Sequence, residues 1–307
     1  MEYVLQAREL IKSYHGNRVL NGVSMNIRRG DIYGFVGENG SGKTTVIRLI
    51  TGLIYADSGE FSLFGIKSSD PAIRTARARV GAIVETPSIY LNFSAKENLL
   101  MQSGILGMRN EEKCKEILTT VGLGELWENR KNAGSFSLGM RQRLGIAMAL
   151  LGDPEFIILD EPMNGLDPSG IVEVRELILR LNREKGITFL ISSHILTELS
   201  LVATRYGIIS RGKILQEIAA EELAGVCLHS TEIKAEDAAA LEALLSKELD
   251  GKGISPIGGG VRVEGEIDLN EVLSKIIAAN IRITSVNSYR SGIEDYYLSM
   301  TGGGRHA

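Results

Sequence analysis

A chain of 307 residues that is 44% apolar and 23% charged has the composition of an ordinary globular protein, with room for one large domain and one small one. A net charge of −4 argues against a nucleic-acid face, and no apolar run approaches the ~18 residues needed to span a bilayer. The opening M-E-Y-V-L-Q-A-R-E-L lacks a signal-peptide pattern, so the expected location is the cytosol. Cys114 and Cys227 are far apart and have no His or Cys at ligand spacing, which points to free thiols.

Residues 4–10 alternate towards a first strand, residues 12–17 (K-S-Y-H-G-N) read as a turn, and residues 19–27 form a second strand. Tyr14 could stack on an adenine ring, but taken alone it reads first as a turn tyrosine. Residues 31–36 (D-I-Y-G-F-V) are a short apolar strand, and residues 37–44 (G-E-N-G-S-G-K-T) then fit G-x-x-x-x-G-K-[ST]. The glycines let successive backbone N–H groups point at phosphate oxygens, and Lys43 brings a positive charge to the start of a helix. Four such fixed positions recur by chance in roughly one chain of this length in a hundred, and the strand, loop, helix order sharpens the signal.

Residues 57–60 turn the chain into a strand at 61–64, and residues 80–84 form an apolar strand that ends at Glu85, shortly before Pro87. From Ser94 to about Trp127 the spacing is helical, an inserted helical layer whose Met and Leu stripe is expected in the core. Ser137 is a candidate N-cap for the next helix, which would leave N–H groups free for an anion; Gly152 and Pro154 close it. Residues 156–159 (F-I-I-L) read as a strand buried on both faces that delivers Asp160 and Glu161, costly there without a cation or a water to serve. A helix over 170–185 and a buried strand over 187–193 follow, ending at His194; this alternation implies a mostly parallel sheet with ligands at its strand ends. After a hairpin at 207–214 the segments shorten into a second α+β domain. There Asp268 with Glu271 and Ser291 with Glu294 sit at capping-box spacing, and nothing looks catalytic.

Residues 37–44, 137–143, Asp160 with Glu161, 164–167 (N-G-L-D) and His194 occur in one fixed order, and over roughly residues 1–220 the chain resembles the ATP-binding subunit of an ABC transporter. The resemblance implies an α/β fold: an ABC-type P-loop ATPase core over residues 1–220 with an inserted helical subdomain at about 86–152. A small C-terminal α+β domain, accessory or regulatory, would occupy 221–307. By the same resemblance Gly37, Asn39, Gly40, Ser41, Gly42, Lys43, Thr44 and Thr45 bind ATP, and Tyr14 stacks on its adenine, which reverses the plain reading of that tyrosine. The run F-S-L-G-M (136–140) stands in for L-S-G-G-Q, so Ser137, Leu138, Gly139 and Met140 would cover the nucleotide of a second subunit, with Asp167 in the D-loop. Thr44 and Asp160 would hold Mg²⁺, Glu161 would polarise the attacking water as general base, and His194 would keep the γ-phosphate and water in line. The implied partners are a second ATP-binding subunit, expected to be identical, and a separate transmembrane permease. No nucleic acid and no direct membrane insertion are expected; the chain would lie on the cytoplasmic face of the membrane.

Two departures bear on the chemistry. Glu85 stands where the family has the glutamine that contacts Mg²⁺ and the membrane partner, and so counts among the expected catalytic and metal-facing residues. A carboxylate about 4 Å from a phosphate oxygen is repelled by roughly 4 kcal/mol at an effective dielectric near 20, so Glu85 must face the metal, carry a proton or turn away. The run V-E-T-P-S-I-Y (84–90) is similar to the subgroup that protects against lantibiotics and bacitracin, which makes a peptide antibiotic or other amphiphile the expected cargo. In the signature, Leu138 and Met140 depart from the pattern while Ser137 and Gly139 remain, so phosphate contacts are expected to survive with a tighter approach at Leu138. Residues 291–302 resemble the ending of exporter ATPases in this family. The rival readings are a soluble ABC protein acting on ribosomes or DNA ends and an ATP-binding regulator that does not hydrolyse. The first lacks its usual second cassette or coiled-coil insertion, and Glu161 with His194 counts against the second.

Overall fold

The structure is a computed structural model, and it describes residues 2–226, 229–249, 251–265, 267–290, 296 and 300. The chain divides into two compact units, Met1–Ala220 and Glu221–Ala307. The first begins with β1 (Tyr3–Tyr14), β2 (Asn17–Arg28), β3 (Ile32–Val36), α1 (Lys43–Thr51), β4 (Ser58–Leu63), β5 (Ile66–Lys67), α2 (Ile73–Arg77) and β6 (Val80–Ile83). Helices α3 (Ala95–Ile105), α4 (Glu111–Thr120) and α5 (Leu138–Leu150) follow, and then β7 (Phe156–Asp160), α6 (Pro168–Lys185), β8 (Thr188–Ser193), α7 (Leu196–Leu199), β9 (Arg205–Ser210) and β10 (Lys213–Ala219).

These strands build two sheets. The six-stranded one has the order β10-β9-β3-β8-β7-β6, parallel throughout except for the antiparallel β10 at its edge. Every residue of β3, β7 and β8 is buried, as expected of parallel strands covered on both faces. The carboxyl ends of β3, β8 and β7 therefore lie side by side at the centre of the sheet. The four-stranded sheet β2-β1-β4-β5 is antiparallel and separate from it, a division that alternation along the chain did not reveal. Its first hairpin also corrects the expected turn at 12–17. Asp57 accepts from Lys12 Nζ at 2.8 Å and from Ser13 N at 2.7 Å, so β1 runs on to Tyr14. Only His15 and Gly16, with φ of +48° and +84°, make the turn.

Between β6 and β7 the chain is helical. The start of α3 is a reciprocal capping box, Ser94 accepting from Glu97 N and Glu97 from Ser94 N. The expected apolar stripe is only partly core: Leu99 is buried, but Met101 and Ile105 are 40% and 66% exposed. Asn98 is fully buried here, and its amide accepts from Tyr90 N at 2.8 Å and donates to Tyr90 O at 3.1 Å and Ser94 O at 2.9 Å. It ties the preceding loop to the helix. Gly81 lets α5 approach β6, since a Cβ there would stand 2.6 Å from Ala149 O.

After α8 (Ala220–Val226) come β11 (His229–Ala235), α9 (Ala238–Glu248), β12 (Ile254–Ile257), β13 (Gly260–Glu264), α10 (Leu269–Ala278) and β14 (Ile283–Arg290). The strands pair antiparallel in the order β12-β13-β11-β14, the split βαβ arrangement. Ile233, Val261, Val263, Leu241, Leu245, Val272 and Ile276 form its own core. The box expected at its last described helix is half formed: Asp268 accepts from Glu271 N at 3.2 Å, but the Glu271 carboxylate turns to Lys275 at 2.8 Å. Cys227, the Ser291/Glu294 pairing and most of the exporter-like ending at 291–302 lie outside the described residues.

Candidate functional site

The loop after β3 is shaped by two glycines. A Cβ on Gly37 would lie 2.4 Å from Ile209 O, and Gly42, the N-cap of α1, has φ +113°. Around them Asn39 and Gly40 form an exposed tip, while Ser41 and Lys43 are buried and Thr44 and Thr45 half-buried. The Lys43 ammonium donates to Gly37 O at 2.6 Å and Glu38 O at 3.3 Å, and it lies 3.4 Å from Glu161 Oε1. Ser41 Oγ is buried with no hydrogen-bond partner. An orphan hydroxyl beside a buried ammonium at the opening of a helix is a donor set that suits phosphate.

The strands beside this loop carry the carboxylates. Asp160 closes β7, 1% exposed; its Oδ2 accepts from Thr44 Oγ1 at 2.9 Å and its Oδ1 from Ser192 Oγ at 2.5 Å. Glu161 has the left-handed φ of +49°, and its N–H donates to Ser192 Oγ at 3.0 Å and Ser192 O at 3.2 Å. From there the Glu161 carboxylate spans two partners, Lys43 on one oxygen and His194 Nδ1, 2.8 Å away, on the other. Burial pushes the Glu198 carboxyl up, with His194 opposing and Glu161 adding to the rise, so a third acidic group borders this cluster.

Ser137 caps α5, accepting from Met140 N at 3.2 Å, and Leu138 at the first turn is 43% exposed. Gly139 and Gly170 pack closely, and a Cβ on Gly165 would touch Leu138 Cδ2 at 3.4 Å, so this segment and residues 164–167 lean on each other within one chain. Asp167 caps α6: Ser169 Oγ at 2.7 Å and Gly170 N at 3.2 Å donate to it and hold its carboxyl below the usual range. No hydrogen bond joins residues 137–140 to Lys43, Thr44 or Asp160 among the described residues.

Glu85 is not brought into this cluster. Its backbone is left-handed at φ +64°, its side chain is 57% exposed, and its carboxylate pairs with the guanidinium of Arg48, one turn beyond Thr44 on α1. Of the three dispositions open to Glu85, the structure shows its carboxylate turned to Arg48. Tyr14 ends β1 with Lys12 Nζ 5.7 Å from its ring centre and a buried, unpartnered hydroxyl. Sequence reasoning missed Arg48, Ser192 and Glu198. Only Ser192 carried a signal, since residues 192–193 break an apolar strand with hydroxyls at its carboxyl end.

The family model described as ABC transporter matches residues 20–164. The chain is 39% identical to the bacitracin transport ATP-binding protein BcrA of Bacillus licheniformis, across 99% of both chains. It is 42% identical to the lantibiotic transport ATP-binding protein SrtF of Streptococcus pyogenes over 70% of this chain and 90% of the relative. Among solved structures, cbiO1 of Clostridium perfringens, part of an ABC transporter complex, superposes with a TM-score of 0.66 at 26% identity over 73% of this chain and 92% of that one.

Proposed function

The chain belongs to the family of ABC transporter ATP-binding subunits and is an ATPase; on that premise we propose that it powers export of a peptide antibiotic or similar amphiphile through a separate permease. The observation that carries the cargo class is the end-to-end similarity to the bacitracin transport protein, which spans both compact units. The chain would work on the cytoplasmic face, held to the membrane by the permease; no described helix is long and apolar enough to cross a bilayer. The groove lined by Ile83, Pro87, Gln102, Leu106 and Met148, about 370 Å³ in volume, is where the permease would seat. Exposed Met101, Ile105 and Leu106 nearby support that reading.

In the proposed reaction Lys43, the Ser41 hydroxyl and the backbone N–H groups at the start of α1 grip the phosphates, with Tyr14 against the adenine. Thr44 Oγ1 and the Asp160 carboxylate, converging at 2.9 Å, are hard oxygen donors that fit Mg²⁺. When bound, Mg²⁺ neutralises charge on the β- and γ-phosphates. Glu161 takes the proton of the attacking water, which adds to the γ-phosphorus as ADP leaves, and His194 orients the Glu161 carboxylate. Ser137, Leu138, Gly139 and Met140 act on the nucleotide of a second copy of the chain, with Asp167 beside them, giving a two-fold dimer around two ATP molecules.

The test is affinity purification of tagged Glu161→Gln chain with ATP from detergent-solubilised native membranes. A stoichiometric polytopic membrane protein is the expected companion; a chain that brings down ribosomes, DNA or nothing sinks the exporter reading.

A further inference from the structure

We propose that Ser192 is the positioning residue that aims both carboxylates of the site, an inference that rests on the roles given above to Asp160 and Glu161. Ser192 is fully buried on β8 and is the register partner of Asp160 on β7. Paired residues of neighbouring strands project to the same face, so hydroxyl and carboxylate lie side by side. A serine hydroxyl has one donor and two acceptor sites, and both functions are used here. It donates to Asp160 Oδ1 at 2.5 Å, which leaves Oδ2 turned to Thr44, 2.9 Å away. It accepts from Glu161 N at 3.0 Å, where the backbone is held at φ +49°.

That second bond matters because a left-handed glutamate backbone is uncommon and costs free energy that neighbouring bonds must offset. The N–H anchor fixes the direction from which the Glu161 side chain reaches His194 and Lys43. The next residue has a different duty: Ser193 Oγ accepts from Ile195 N at 2.9 Å and shapes the turn at His194. An apolar residue at 192 would continue the strand I-T-F-L-I just as well, but it would leave buried Asp160 Oδ1 without its donor. One hydroxyl thus couples the carboxylate that would face the metal to the base that would face the water.

The test uses the full-length chain as Ser192→Ala, Ser192→Thr and Glu161→Gln. It reads kcat and KM for ATP, the Mg²⁺ concentration that half-saturates hydrolysis, and binding of a fluorescent ATP analogue with and without Mg²⁺. Ser192→Ala is expected to bind the analogue without Mg²⁺ as wild type does, to lose about 10- to 100-fold in kcat with little change in KM, and to need more Mg²⁺. Ser192→Thr, which keeps the hydroxyl, should restore both kcat and the Mg²⁺ requirement. Wild-type kcat and Mg²⁺ dependence in Ser192→Ala would overturn the proposal. So would a Ser192→Thr chain as impaired as Ser192→Ala, or a Ser192→Ala chain that fails to bind the analogue without Mg²⁺, since the residue would then serve packing or folding instead. If Glu161→Gln hydrolyses at the wild-type rate, the role of Glu161 itself fails; if it is inactive while Ser192→Ala is normal, only the role of Ser192 fails.

Discussion

Oε2 of Glu161 lies 2.8 Å from Nδ1 of His194, and the other oxygen of the same carboxylate lies 3.4 Å from the Lys43 ammonium. One acid thus links the strand ends after β7 and β8 to the phosphate loop after β3. Glu161→Gln should lose about 10²- to 10⁴-fold in hydrolysis rate and still bind ATP, because phosphate binding falls to Lys43 and the loop. His194→Ala should lose rate in the same way. Phosphate release and equilibrium nucleotide binding, measured on the same preparations, check both; a Glu161→Gln chain with normal turnover refutes the assignment.

Tyr14 offers a ring whose hydroxyl is buried and has no partner. Removing that hydroxyl costs no hydrogen bond, so Tyr14→Phe should bind ATP as well as wild type. Tyr14→Ala should lose about 1–3 kcal/mol of affinity, roughly 5- to 150-fold in Kd, if the ring stacks on adenine. Titration calorimetry with ATP separates the two; equal affinities for all three chains would end the stacking assignment.

Glu85 pairs with Arg48 at an exposed site, so the pair itself should contribute less than about 1 kcal/mol to stability. Glu85→Gln is expected to melt within a few degrees of wild type and to bind ATP normally while changing how hydrolysis is coupled to transport. The readouts are the ATPase rate in the presence of the permease and the antibiotic resistance of cells that carry the variant. A variant matching wild type in both removes Glu85 from the coupling path.

Glu155, in the turn before β7, is held at about 2 by Arg79 at 2.5 Å and Arg29 at 2.6 Å. A carboxyl depressed below its ordinary value of 4.5 stabilises the fold above that pH and loses the contribution as pH falls towards about 2. The side chain is 37% exposed, so solvent screening keeps the effect to about 1 kcal/mol or less for each ion pair. Glu155→Gln should be slightly less stable than wild type at neutral pH, and the difference should shrink as pH falls below about 4.5. Urea melts at neutral and acid pH test this; a gap that widens with acid contradicts it.

The local chemistry of the site was legible because each part is a short run with its own stereochemistry. Glycines at 37, 40 and 42 announce a tight loop, four apolar residues before Asp160 announce a doubly covered strand, and Ser137 stands where a helix cap belongs. The α3 stripe was misread because periodicity says which side chains share a face and not whether that face is covered. Met101 and Ile105 share it and stay exposed.

By itself the sequence determined the kind of chemistry: a phosphate loop, two acids and a histidine in an order tied to one family, at the ends of strands that are apolar throughout. Only the tertiary structure decided which of these groups meet. The order β3-β8-β7 sets Thr44, Ser192 and Asp160 in one bonded row although 116 positions separate Thr44 from Asp160. It likewise placed the Glu85 carboxylate on Arg48, 37 positions away. The physical reason is that a parallel sheet joins its neighbours through long crossovers, so strand adjacency and register follow from how the helices pack on the sheet and leave no periodicity in the chain to read.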